Sequence, residues 1–210
     1  MGAINSRARY IVIVGPDGSG KTTVADGVSM RLRERVKVVR CDFSFGILPR
    51  ISDVLRRRQS IRGSKEGEFL SGMATPLSAL KATLVGIWYG VDHLLGHMAV
   101  RSAERRGAVL VFARSYHDFM YQRAYERIPT VFVRFFLAVG PKPDIIACPH
   151  RAPEIIQATK PELTVEEIRR QYQRIDSRLG QSRGFLSIDA SGGIDSTIAK
   201  VLAGAMIEGS

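Results

Sequence analysis

The residues best suited to chemistry lie near the start of the chain, where segment 15–22 reads GPDGSGKT. This segment matches the pattern G-x-x-x-x-G-K-[ST] at every fixed position, and the apolar run 10–14 precedes it. The glycines allow tight turns that aim successive backbone N–H groups at phosphate oxygens. Lys21 would then reach the β- and γ-phosphates, and the Thr22 hydroxyl could ligate Mg²⁺. The motif therefore predicts a site for a nucleoside triphosphate.

Strand-like and helix-like patterns alternate along the rest of the chain. The predicted strands are 9–14, 36–41, 108–112, 144–148 and 184–188. The predicted helices are 20–34, 76–106, 117–127, 129–138, 164–180 and 194–207. Such alternation predicts an α/β fold in which helices cover both faces of a five-stranded parallel sheet, with ligands beyond the carboxyl ends of the strands. Together with the glycine-rich motif, it indicates a P-loop NTPase fold, with residues 1–210 as a single domain.

Composition narrows the function classes. The 210 residues are 45% hydrophobic and 24% charged, as is ordinary for a globular protein. No segment is long and apolar enough to span a bilayer, so we expect no membrane partner. Cys41 and Cys148 both end apolar runs, as reduced cysteines near strand ends would, and this favours a cytoplasmic location.

The formal net charge of +11 indicates an anionic partner. A basic stretch, 50–65, lies inside segment 43–75, which has the least readable pattern in the chain and which we expect to be a variable, mobile part of the acceptor side. Aromatic residues do not interleave with its arginines, as a single-strand nucleic-acid platform would require. A nucleotide substrate explains the sign of the charge, and the pattern disfavours a nucleic-acid partner.

Several segments between residue 9 and about residue 205 together resemble the thymidylate kinase family of nucleoside monophosphate kinases. Segment 15–23, which we call the phosphate loop, resembles the phosphate loop of the family, including an aspartate at its third position, Asp17. Segment 88–93, WYGVDH, is similar to the family's long-helix segment. Segment 109–118, VLVFARSYHD, is similar to its strand-end motif Asp-Arg-Tyr/His, and Tyr121-Gln122 extends the match.

The second half of the chain carries the rest of the likeness. Segment 142–168 resembles the family's fourth strand, a short lid at 150–164 and the helix that follows. Segment 188–191, IDAS, resembles the part whose backbone flanks adenine. The resemblance implies that ATP donates phosphate with Mg²⁺ present, that the acceptor is a small molecule such as a nucleotide, and that two copies can pair through their long helices.

The resemblance also assigns roles to individual residues. Arg114 would bridge the donor and acceptor phosphates, Asp17 would contact the acceptor sugar, and Tyr89 would stack on the acceptor base. The expected catalytic residues are Lys21, Arg114 and Asp17. The expected ATP-binding residues are Gly15, Asp17, Gly18, Ser19, Gly20, Lys21, Thr22, Thr23, Lys160 and Ala190, with Thr22 also on the metal. The expected acceptor-binding residues are Tyr89, His93, Arg114 and Tyr116.

The chain departs from the family pattern at three functional places. Ala113 stands where an aspartate usually organises Mg²⁺, and His93 replaces an arginine that follows the stacking aromatic. In the lid region His150 and Thr159 occupy places where relatives carry an acid and a phosphate-clamping arginine. Asp42 and Asp118 are the candidates to replace the missing acid.

These departures leave two main hypotheses and a third. The first is an ATP-dependent phosphotransferase that moves the γ-phosphate to a nucleoside monophosphate, similar to dTMP, or to a similar small acceptor. The second is an ATP-binding protein of the same fold with weak or no catalysis. The third is a kinase of deoxynucleosides or other small molecules, because Arg114-Ser115 also resembles part of the Glu-Arg-Ser motif of deoxynucleoside kinases.

Overall fold

The computed structural model describes residues 8–49, 79–161 and 163–207, and its strands form one all-parallel sheet. The five strands are β1 Tyr10–Ile13, β2 Lys37–Cys41, β3 Ala108–Phe112, β4 Ile145–His150 and β5 Phe185–Asp189. The described helices are α1 Lys21–Arg33, α2 Ala79–Arg105, α3 Thr130–Val139, α4 Pro153–Thr159, α5 Val165–Leu179 and α6 Ile194–Ile207. The strand order is β2-β3-β1-β4-β5.

Both faces of the sheet are buried, which explains why its central strands are continuous apolar runs rather than alternating ones. Along β1, Val12 points into a core shared with α2, α3, α4 and α5. Ile11 and Ile13 point into a second core, shared with α1 and α6. The predicted α/β fold, with a five-stranded parallel sheet covered on both faces, is therefore confirmed.

The order of the strands places the predicted site at the carboxyl ends of the central strands. β1 lies between β3 and β4, with register pairs Val12–Phe112 and Ile13–Ala147. After β1 the chain enters α1 on one face, whereas after β3 it enters the short helical segment 116–125 on the other. A crevice between strands whose connections diverge in this way is where open α/β sheets bind ligands.

One predicted helix is wrong and one helix was missed. Segment 117–127 forms two short 3₁₀ helices, Tyr116–Met120 and Arg123–Tyr125. The side chain of Ser115 accepts the His117 N–H at 3.3 Å, and such local hydrogen bonds compete with a regular α-helix. The missed helix, α4, has Pro153 in its first turn, a recognised start signal.

Part of the expected acceptor-side segment lies outside the described residues. Of the predicted segment 43–75, the structure describes 43–49, while 50–75 and the basic stretch 50–65 fall outside. Among the helices of the described ranges, none has the length and apolar character needed to cross a membrane.

Candidate functional site

The phosphate loop turns tightly between β1 and α1. Gly15, Gly18 and Gly20 have φ values of 151°, 87° and 90°, which side-chain-bearing residues rarely adopt. Gly20 is the N-cap of α1, and no side chain caps the helix there. The free N–H groups and positive dipole end of α1 therefore face the loop, and both favour an anion.

The Lys21 ammonium lies inside this loop. It donates to the carbonyl oxygens of Gly15 and Pro16 at 2.7 and 2.8 Å, and to Asp17 Oδ1 at 3.2 Å. Burial lowers the pKa of Lys21, although the carboxylates of Asp17 and Asp118 oppose that shift. The loop thus surrounds a buried cation with oxygen acceptors.

Arg114 reaches the same loop from the end of β3. Its Nη2 lies 2.6 Å from Asp17 Oδ1, the oxygen that Lys21 also contacts. Burial acts to raise the pKa of Asp17, but Lys21 and Arg114 outweigh burial, so the pKa lies below its ordinary value. The three predicted catalytic residues therefore meet on one carboxylate oxygen.

Lys160 approaches the loop from the C-terminal end of α4. A Cβ built on Gly18 would lie 2.7 Å from Lys160 Cγ and 3.1 Å from Ile156 Cγ2. The charge of Lys160 also helps to lower the pKa of Asp17. A glycine at position 18 therefore lets the lid region pack directly against the phosphate loop.

The two lid positions that depart from the family pattern are engaged elsewhere. His150 stacks on Tyr172, with ring centroids 4.4 Å apart, and its Nε2 lies 3.6 Å from Asp176 Oδ1. The Thr159 hydroxyl donates to the Ile156 carbonyl at 2.8 Å, inside its own helix. Among the described residues of the predicted lid, Lys160 and Ile156 are the side chains seen to pack against Gly18.

The predicted adenine-side residue, Ala190, follows β5. Its N–H donates to the His150 carbonyl at 2.9 Å, next to the end of β4. Asp189 stabilises this turn by accepting the Ser191 N–H at 2.9 Å. Ala190 thus lies at the carboxyl edge of the sheet that also carries the phosphate loop, two strands away from β1.

The predicted acceptor-binding residues other than Arg114 form part of an aromatic cluster. Tyr89 is buried and meets Phe43 edge to face, with centroids 4.8 Å apart. His93 is also buried and stacks on Tyr116 at 5.3 Å, and burial lowers the pKa of His93 to about 3. The cavity bordered by these rings has a volume of about 10 Å³, roughly the space of one water molecule.

Asp92, which the sequence patterns did not single out, holds segment 43–48 over this cavity. Asp92 is buried, and its carboxylate accepts the backbone N–H groups of Phe45, Ile47 and Leu48 at 2.8–2.9 Å. The Trp88 indole adds a bond to the Pro49 carbonyl at 3.1 Å. Segment 43–48 therefore closes the aromatic cluster, with Asp92 as its anchor.

The structure offers few protein ligands for Mg²⁺. Thr22 is exposed at the start of α1, whereas Ala113 is buried in the apolar core under that helix. Asp42 is exposed and pairs with Arg40 at 3.1 Å. In the described ranges no three metal-ligating side chains cluster. A hydroxyl with phosphates and waters is nevertheless a common magnesium environment.

The loop itself fits a polyphosphate. Its donors include the uncapped N-terminus of α1, and the buried Ser19 hydroxyl has no hydrogen-bond partner within the described part of the chain. Lys21 and Arg114 supply two cations beside these donors. An anion with several oxygens would satisfy all of these groups together.

Comparison with known proteins does not identify a family for this chain. No protein-family model matches it, and a search of curated proteins finds no match.

Proposed function

We propose that this protein is an ATP-dependent phosphotransferase of P-loop NTPase fold, which moves the γ-phosphate to a nucleoside monophosphate or a similar small acceptor. The observation that carries this proposal is the meeting of Lys21 and Arg114 on Asp17, inside a loop of positive-φ glycines. Phosphoryl transfer depends on positioning and on neutralising phosphate charge, and two converging cations serve both needs.

Each residue of the site has a distinct task in this proposal. The loop N–H groups and Lys21 bind the β- and γ-phosphates of ATP, and the planar guanidinium of Arg114 orients the phosphates between donor and acceptor. Lys160 adds a third positive charge from the lid side. Mg²⁺ bound by Thr22 would neutralise phosphate charge, with waters completing its coordination.

Before nucleotide binds, carboxylates of the protein largely offset the charges of Lys21 and Arg114, and this affects how nucleotide can bind. Lys21 and Arg114 are offset by Asp17 and by the nearby buried carboxylate of Asp118. Incoming phosphates must compete with Asp17 for both cations, so nucleotide binding is expected to release Asp17. A released Asp17 is then available to a hydroxyl of the acceptor.

Acceptor binding requires a rearrangement of the aromatic cluster. Its cavity of about 10 Å³ is far smaller than a nucleotide. The hydrogen bonds from segment 43–48 to Asp92 are the contacts that would open. This small cavity, together with Ala113, is also the observation that favours the second candidate function, an ATP-binding protein of kinase fold with weak or no turnover.

ATP consumption against a panel of nucleoside monophosphates, deoxynucleosides and sugars tests the proposal. Lys21→Ala should abolish turnover and weaken ATP binding, whereas Lys37→Ala, at an exposed position on β2, should change neither. Turnover with a monophosphate supports the main proposal, and turnover only with a deoxynucleoside or sugar supports the third hypothesis. ATP binding without turnover on any acceptor supports the binding-protein alternative. Equal ATP affinity in wild type and Lys21→Ala contradicts all three.

The same family likeness leads us to propose a homodimer through the long helix α2, and the exposed face of α3, which packs against α2, extends the proposed interface. Large apolar side chains are exposed on both helices: Leu80, Leu84, Ile87, Leu94 and Met98 on α2, and Val131, Phe132, Phe135 and Val139 on α3. Sedimentation equilibrium should show a dimer that Leu84→Ser with Phe135→Ser dissociates. Met30→Ser, an exposed apolar position on α1, is the matched control.

A further inference from the structure

A chain of hydrogen bonds runs beneath the phosphate loop. The Gly15 N–H donates to the Tyr121 hydroxyl at 3.2 Å, and that hydroxyl donates to Asp118 Oδ1 at 2.7 Å. The other carboxylate oxygen, Oδ2, accepts from Gln122 Nε2 at 2.8 Å. The first residue of the loop is thus tied to a carboxylate that lies 103 residues away in sequence.

The geometry of the 3₁₀ segment builds this chain of bonds. The N–H groups of Tyr121 and Gln122 donate to the Asp118 carbonyl at 3.2 and 3.0 Å. These bonds hold both side chains next to the Asp118 carboxylate, so each of its oxygens meets a neutral donor. Asp118 is fully buried and Tyr121 nearly so, which leaves water little access to the bonds.

Gly15 is a tightly constrained residue of the loop. Its φ is 151°, and a Cβ at this position would lie 2.7 Å from Ser19 Oγ. The loop closes tightly here, and the Lys21 ammonium bonds to the carbonyl of the same residue at 2.7 Å. The backbone conformation of Gly15 therefore fixes the direction of its own N–H relative to the carbonyl that Lys21 contacts.

We propose that Asp118 and Tyr121 are positioning residues that hold the backbone of Gly15 in the conformation required for phosphate binding. Asp118 acts through Tyr121, and neither residue needs to touch the nucleotide. The proposal deepens the proposed function and rests on it. It also gives Asp118 a role other than that of a replacement magnesium ligand, because its carboxylate is fully buried and bonds to Tyr121 and Gln122.

Two tyrosine variants test the positioning role. Tyr121→Phe removes the hydroxyl that links Gly15 to Asp118. Tyr172→Phe is the matched control, because the buried Tyr172 hydroxyl also accepts one backbone N–H, from Arg151 at 3.1 Å, and donates once, to the Pro149 carbonyl at 3.1 Å. Each variant loses one bond from a backbone N–H and one bond to an oxygen acceptor, a carboxylate for Tyr121 and a carbonyl for Tyr172. Of the two hydroxyls, that of Tyr121 bonds to the phosphate loop.

Two measurements follow on these variants. Hydrogen–deuterium exchange of the Gly15 amide in the nucleotide-free protein should rise about tenfold in Tyr121→Phe and stay at the wild-type value in Tyr172→Phe. The Kd for ATP should rise about tenfold in Tyr121→Phe alone, since about 1.4 kcal/mol of hydrogen bonding corresponds to tenfold. Equal changes in the two variants would show a general loss of stability and overturn the proposal.

A second pair of variants separates position from charge. Asp118→Asn keeps an oxygen for the Tyr121 hydroxyl and can still pair with Gln122, whose amide can rotate. It should retain ATP affinity within about threefold, while Asp118→Ala should lose about as much as Tyr121→Phe. An equal loss in Asn and Ala variants would mean that the negative charge matters, as for a metal ligand, and would refute positioning.

The exchange measurement also distinguishes this proposal from the proposed function. If wild-type protein fails to bind ATP, the proposed function is wrong, whereas faster exchange at Gly15 in Tyr121→Phe alone still establishes the link between Tyr121 and the loop. If ATP binds and exchange at Gly15 is unchanged in Tyr121→Phe, the positioning role is wrong and the proposed function stands.

Discussion

Replacing Gly18 by alanine tests whether Lys160 packs against the phosphate loop. Gly18 and Gly20 have similar φ values of 87° and 90°, so alanine at either position suffers a similar backbone strain. That strain is about 1–2 kcal/mol, and the lower entropy of the unfolded chain offsets about 0.4–1 kcal/mol of it. The two variants differ in their surroundings, because a Cβ on Gly20 meets no atom within 4 Å.

The extra cost at Gly18 follows from its contacts. A Cβ there would lie 2.7 Å from Lys160 Cγ and 3.1 Å from Ile156 Cγ2, and Ile156 is fully buried. Crowding of this kind typically costs about 1–3 kcal/mol. We expect Gly18→Ala to be about 2 kcal/mol less stable than Gly20→Ala, which corresponds to a melting temperature about 4–8 °C lower for a chain of this size.

Chemical and thermal unfolding without nucleotide measure this difference, and a double variant identifies its source. Lys160→Ala removes the Cγ, so it should restore about 1 kcal/mol to Gly18→Ala, although alone it should not stabilise the protein. Melting temperatures of Gly18→Ala and Gly20→Ala that agree within 1 °C, which is below the shift caused by about 0.5 kcal/mol, would refute the contact between lid and loop. Additive effects of Gly18→Ala and Lys160→Ala would refute Lys160 as its source.

Three further predictions concern the site and its pH dependence. Arg114→Lys should lower turnover by about 10- to 100-fold while retaining charge, because an ammonium cannot replace the planar fork; full activity in steady-state assays would contradict the role of Arg114. Ala113→Asp should lower the Mg²⁺ concentration needed for half-maximal turnover, at some loss of stability because Ala113 is buried, and an unchanged magnesium titration would show that no acid is missing there. Burial lowers the pKa of His93 to about 3 and of His117 to about 4, from an ordinary value of 6.5. As the pH falls below 6.5, both histidines are therefore protonated in the unfolded state before they are protonated in the folded state. Burial raises the pKa of Asp118 to about 6, which offsets about one of the two protons. As the pH is lowered from 6 to 4, the free energy of unfolding should therefore fall by about 1.4 kcal/mol per pH unit. Urea unfolding curves in which stability stays constant or rises as the pH is lowered would contradict the burial of these histidines.

The sequence by itself determined the strands and the glycine turns of the loop. Each observed strand lies within about two residues of its predicted limits, since a buried parallel strand is a short apolar run readable from the run alone. The phosphate loop was predictable because glycine permits positive φ, and the three glycines of segment 15–20 adopt it. Segment 116–125 was mispredicted because its own polar side chains bond to the local backbone.

Only the tertiary structure decided which residues meet at the site. The Asp17–Arg114 contact joins residues 97 apart in sequence, and the Gly15–Tyr121 bond joins residues 106 apart. No local pattern encodes such contacts, because they depend on β3 lying beside β1 in the sheet. The burial of Asp118 likewise arises from packing beneath the loop. Sequence therefore predicted the loop and the ligand that we propose for it, while strand order and packing determined which distant side chains lie against it.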